Sequence, residues 1–112
     1  MQKLPHPEYA IVHINKLVDY CLNPEHPSGK HKARVFKSSL NLGIENAETL
    51  RTTLLDVVHR EMAIPTKRNV YGQKYVIDFD MSHSGRTAEI RSVWIVRDDE
   101  NFPRFVTCYV LH

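Results

Sequence analysis

The chain has 112 residues, 42% hydrophobic and 25% charged, with a net charge of +2 at pH 7. That length supplies one domain with a core of its own, and the composition excludes a disordered or collagen-like chain. So small a net charge does not identify a nucleic-acid binder, so any such argument rests on where the cations sit.

In chain order, Met1-Gln2-Lys3-Leu4-Pro5-His6-Pro7 holds no apolar segment of signal-peptide length, and no later run approaches a membrane span. The expectation is a single cytoplasmic domain over residues 1–112, with no membrane association. Ala10-Ile11-Val12 reads as a short extended entry. After Asn15, a capping residue type, the pattern predicts a short helix over Lys16–Leu22 with Leu17, Val18 and Cys21 inward. Pro24 and Pro27 force a turn. The second helix is predicted from Gly29 to Leu40, capped by Ser28, with Ala33, Phe36 and Leu40 as its buried stripe and Gly43 as its stop. The third runs from Asn46 to Ala63 on the period of Ala47, Leu50, Leu54, Val57, Val58 and Met62, and Pro65 closes it.

The period then changes to two. A strand is predicted over Tyr71–Asp80 with Tyr75, Ile77 and Phe79 on one side, followed by a loop at Met81–Gly85. Arg86–Arg97 and Arg104–Leu111 complete the strands. Helices followed by a meander predict an α+β domain, two to three N-terminal helices packed on a three- to four-stranded antiparallel sheet. Strict alternation puts Arg91 beside Glu89, Val93 and Ile95, and Arg104 beside Val106, Cys108 and Val110. Arginines among apolar residues fit a binding surface or a protein interface. Cys21 and Cys108 lie far apart in apolar surroundings and are expected to be reduced and at least partly buried, with one disulfide left open.

The segment Asn23–Phe36 breaks a local rule. Lys30, His31, Lys32 and Arg34 fall in one helical turn with no acid before Glu45, although cations in a first turn oppose the helix dipole. At 100° per residue Lys30, Arg34 and Lys37 form one stripe, with His31 and Ser38 beside it. Fixed charge beside an imidazole is what a phosphodiester cleaver needs; a solvated lysine-rich face is the alternative. Arg86, Arg91 and Arg104 in strands suit bidentate grip on phosphate, or pairing with Asp78 or Glu89. His26 and His31 have no convergent cysteine or carboxylate, so neither a metal nor another cofactor is expected. His83 is either a second acid/base group or a polar hairpin residue, and Tyr109 or Tyr71 is placed to stack a base.

The string from His26 to Phe36, HPSGKHKARVF, together with Tyr71-Gly-Gln-Lys-Tyr75, Gly85-Arg86, Arg91-Ser-Val-Trp94, Pro103-Arg104 and Thr107, resembles a family of small bacterial, largely cyanobacterial, domains of unknown function. Members of that family occur beside small partner genes in the manner of toxin–antitoxin pairs, and at the ends of large secreted toxins. The helices-then-meander order is also similar to toxin ribonucleases such as barnase, the tRNA-cutting colicins and the RelE-like toxins. Carried onto matching positions, the resemblance implies a catalytic set of His31, Lys32, Arg91, Arg104 and Thr107, with Lys30, Arg34, Lys37, Arg86 and Tyr109 on substrate. No glutamate stands in a general-base position. The expected function is a metal-independent endoribonuclease toxin that cuts RNA by 2′-hydroxyl attack and is held by a small acidic antitoxin protein. The alternative is a non-catalytic module that binds RNA or a partner protein through the same basic face. A homodimer is left open.

Overall fold

In the computed structural model, which describes residues 1–111, helical and strand periodicities occupy separate halves of the chain. A 3₁₀ turn at Pro7–Tyr9 and a π-helical turn at Leu17–Cys21 precede α1 (Lys30–Leu40). A further 3₁₀ turn at Ile44–Asn46 leads into α2 (Ala47–Arg60). Four strands follow, β1 (Ile64–Arg68), β2 (Gly72–His83), β3 (Arg86–Arg97) and β4 (Pro103–Val110), as an antiparallel meander in the order β1-β2-β3-β4. The architecture is the predicted α+β arrangement with helices first. Among the described residues no helix is long and apolar enough to cross a membrane.

The helical stripes explain the core. α1 turns Ala33, Phe36 and Leu40 inward, and α2 turns Leu50, Leu54, Val57 and Val58. They join one cluster with Ile77, Phe79, Ile90, Trp94 and Phe105 of the sheet, and each such fully buried side chain contributes roughly 1.5–3 kcal/mol. Ser92, the buried polar side chain here, donates to the Ile77 carbonyl (2.8 Å) and accepts from the Trp94 indole N–H (2.9 Å). The indole therefore enters the core without an orphaned donor.

Several boundaries differ from the sequence pattern, each for a local reason. The first helix is a π turn, with the Leu22 N–H reaching back to the Leu17 carbonyl (2.9 Å). α2 ends at Arg60, Glu61 is extended, and Met62 is exposed rather than part of the stripe. Pro65 does not end the helix but lies in β1, an edge strand where a missing N–H is tolerated. β2 runs on through the predicted loop because Met81 continues the buried face of Ile77 and Phe79. This leaves a two-residue turn, Ser84-Gly85, with both φ positive (53° and 73°) as hairpin twist requires. At the end of α1 it is Asn41 (φ 53°), not Gly43, that takes the left-handed cap.

β4 departs most from strict alternation. Val93 pairs with Thr107 and Trp94 with Phe105, so Val106 is an extra residue, a β-bulge. Pro103, Phe105, Cys108 and Val110 are consequently all buried on the core side. Arg104, paired with Ile95, therefore faces away from Cys108 and Val110 rather than sharing their side. Arg91, Asp78 and Tyr109 align by register on that same outer face.

Candidate functional site

The cations of α1 divide between two flanks. On one, His31, Lys32 and Val35 meet Tyr109 and Val110 around an open cavity of about 260 Å³. On the other, Arg34 and Lys37 line a separate groove of about 320 Å³ with Leu22, Ala33, Leu42 and Ile44. Lys30 is half-buried at the helix start, and neither it nor Arg34 makes an ion pair among the described residues.

The turn before α1 sets the first flank. Ser28 does not cap the helix; Gly29 occupies that position, and the His26 Nδ1 accepts the N–H groups of Ser28 (3.0 Å) and Gly29 (2.9 Å). With Nδ1 accepting, the neutral ring carries its proton on Nε2. The His26 ring also meets Tyr20 edge-on, 4.8 Å between centroids. A side chain at Gly29 would collide with the Tyr20 carbonyl, so glycine lets α1 press against the π turn. Tyr20 is thus held at a fixed place beside Lys32.

Lys32 is the centre of the arrangement. Its half-buried ammonium donates to the Tyr20 hydroxyl (2.9 Å) and to Thr107 Oγ1 (3.2 Å). It also lies 4.7 Å from the Tyr20 ring centroid and 5.5 Å from that of Tyr109. No carboxylate pairs with it among the described residues. An ammonium has three N–H donors, and these contacts use two.

Behind Thr107 lie both cysteines, buried and unbridged. Cys21 Sγ is 3.6 Å from Thr107 Oγ1. A hydrogen bond from the Cys108 thiol lowers Cys21 to about 6, against a burial that opposes it, with Thr107 and the Lys32 charge adding to the lowering. Burial holds Cys108 itself well above the ordinary thiol range, so it keeps its proton and donates it. The Thr107 hydroxyl thus stands between the Lys32 ammonium and the Cys21 sulfur. With no exposed surface, Cys21 is a poor candidate for a nucleophile.

The strand residues separate. Arg91 grips Asp78 through two 2.9 Å bonds, which raise its affinity for its proton, and the Tyr109 hydroxyl adds to that effect. Tyr109 therefore links Arg91 to Lys32. Arg104 is bound twice by Glu100 (2.8 and 2.7 Å), lies over Phe102, and lines a different cavity with Ile11 and Lys16. Arg86 donates to the Ser38 carbonyl (2.8 Å), and His83 Nδ1 donates to the Leu40 carbonyl (2.7 Å). Both satisfy the orphan carbonyls at the end of α1, which is how the β2–β3 hairpin clamps the helix.

Of the expected site residues, His31, Lys32, Thr107 and Tyr109 come together, Arg91 borders them, Lys30 does not line their cavity, and Arg34, Lys37, Arg86 and Arg104 stand elsewhere. Tyr20, Cys21, His26 and Cys108 join the cluster without having been singled out for it. Only His26 lay inside the quoted motif; nothing in chain spacing brings residue 21 to residue 107. No curated protein and no solved structure matches the chain. A family model described as a domain of unknown function, DUF6883, matches residues 3–112, and the chain belongs to that family.

Proposed function

We propose that this domain is a toxin-type endoribonuclease that cleaves RNA through its own side chains, by attack of the 2′-hydroxyl on the adjacent phosphate. The observation that carries the proposal is Lys32, a partly desolvated cation with no carboxylate partner among the described residues and one N–H to spare, at an open cavity with an imidazole on its lip. A phosphate oxygen takes the third N–H of Lys32, and the ammonium stabilises the charge that develops at phosphorus. His31, as neutral imidazole, takes the 2′ proton. The O2′–P bond forms as the P–O5′ bond breaks, and the departing 5′ oxygen takes a proton from water at the cavity mouth, whose hydroxide the His31 imidazolium neutralises to restore the free base. The products are a 2′,3′-cyclic phosphate and a 5′-hydroxyl end. Thr107 and Tyr20 position Lys32, Tyr109 offers a ring to an unstacked base, and Arg91, fixed by Asp78, adds positive potential.

The test is incubation of the purified protein with total RNA in excess EDTA. The expected result is fragments ending in cyclic phosphate, lost in Lys32→Met and reduced about 10²- to 10⁴-fold in His31→Ala. RNA left intact by folded protein sinks the proposal. Binding that weakens steeply with salt but yields no product supports the binding-module alternative instead.

A further inference from the structure

The second flank of α1 carries chemistry that the Lys32 cluster does not use. Its groove, about 320 Å³, has a floor of Leu22, Ala33 and Leu42, while Ile44 stands at its edge with 40% of its surface exposed. Arg34 and Lys37 occupy the rim. Arg34 is exposed and unpaired among the described residues. Lys37 has one loose contact, to Glu45 at 3.7 Å, with both side chains more than half exposed. An exposed pair at that distance is worth little, so a better-placed carboxylate displaces it readily. Glu45 also shows that the groove accepts a carboxylate, since its oxygens lie 2.7 and 2.8 Å from where a Cβ on Gly43 would fall.

We propose that this groove docks an acidic segment of a partner protein, one apolar side chain entering between Ala33, Leu42 and Ile44 while flanking carboxylates take Arg34 and Lys37. Charge complementarity selects this occupant. A second copy would bring the same two cations to the same place, and Glu45, the one carboxylate in the lining, already lies toward Lys37, so the cations outnumber it at the rim. An apolar anchor within a charged rim is the usual layout of a binding hot spot. The proposal stands apart from the ribonuclease reading, because the groove and the Lys32 cavity lie on different flanks of one helix.

Selection of random twelve-residue displayed peptides on the intact domain tests it without presupposing a sequence. Enriched peptides should combine Asp or Glu with Leu, Ile or Phe, and synthesised examples should shift the amide resonances of Arg34, Lys37 and Ile44. Arg34→Glu and Ile44→Glu, both at exposed positions, should each weaken them about tenfold or more, while Tyr71→Ser, exposed at a separate cavity with Arg97 and Asp98, should not. Enrichment of basic or uncharged peptides, no enrichment, or acidic peptides that bind Arg34→Glu and Ile44→Glu as tightly as the parent overturns it. Cleavage of RNA is read separately, so failure here leaves the Lys32 proposal standing.

Discussion

Replacing Gly29 with alanine sets two effects of opposite sign against each other. The backbone there (φ −87°, ψ −14°) is one that alanine adopts freely. In open space the change would stabilise the protein by about 0.4–1 kcal/mol, by narrowing the unfolded ensemble. The space is not open. A Cβ would lie 2.4 Å from the Tyr20 carbonyl oxygen, and 3.1 Å from both its carbonyl carbon and its Cδ1. Carbon–oxygen contacts close to about 3.3 Å, so the π turn and α1 must part by roughly 1 Å. The obstacle is main chain, which no rotamer change can move aside, and the overpacking cost is about 1–3 kcal/mol. Taking the middle of each range, about 2 less about 0.7, we expect Gly29→Ala to be destabilised by about 1.3 kcal/mol net. Urea unfolding followed by the fluorescence of Trp94, the single tryptophan, measures it. The parting also lengthens the Lys32–Tyr20 bond, so the RNA cleavage proposed above should fall in the folded variant. A Gly29→Ala protein as stable as the parent, or more so, refutes the close approach and with it the placement of Tyr20.

Further outcomes follow from other contacts. Ser92→Ala leaves the Trp94 indole N–H unpaired in the core and should cost about 1–3 kcal/mol in the same urea assay, with a change in Trp94 emission. The Cys21 thiol, at about 6 when folded and about 8.5 when unfolded, contributes stability that is complete above the unfolded value and lost as pH falls through 6. Thiolate absorbance near 240 nm should titrate with a midpoint near 6 in the parent and not in Cys21→Ser, whose stability should also change less between pH 6 and 8. Arg91→Ala breaks the bonds to Asp78, but the pair is partly exposed, so the loss should stay within about 1 kcal/mol by urea unfolding. Arg86→Ala removes the cap on the Ser38 carbonyl and should lower Tm by a few degrees while RNA cleavage stays unchanged.

What the chain reveals before folding is uneven, and the reasons are physical. The α1 and α2 stripes and the full extent of β3 are legible, because burial on one side imposes a period that survives in the residues themselves. β1 is not: its five exposed residues have no buried side to imprint a pattern, and Pro65 argues for a break. The site follows the same logic. His31, Lys32, Thr107 and Tyr109 stand out by chemistry alone, but their convergence depends on α1 packing against β4, which no spacing in the chain announces. Arg91, Arg104 and Arg86 look alike in the chain. Only the register shows that one borders Tyr109, one faces Glu100 and one clamps a helix end.

The Val106 bulge also bears on how the open edges of the sheet resist pairing with another extended chain. Open strand edges offer unpaired main-chain groups to any passing extended chain, the first step toward fibrils. Here one margin is β1, where Pro65 withholds a donor, the register to β2 slips, and Lys67 and Arg68 place like charges in the path of a copy. The other margin is β4, where Ile11 pairs beside Arg104, α1 packs along the strand, and the bulge interrupts the regular ladder a docking strand would extend. The irregularity that turns Arg104 away from Cys108 and Val110 therefore also helps leave neither end of the sheet as a template for aggregation.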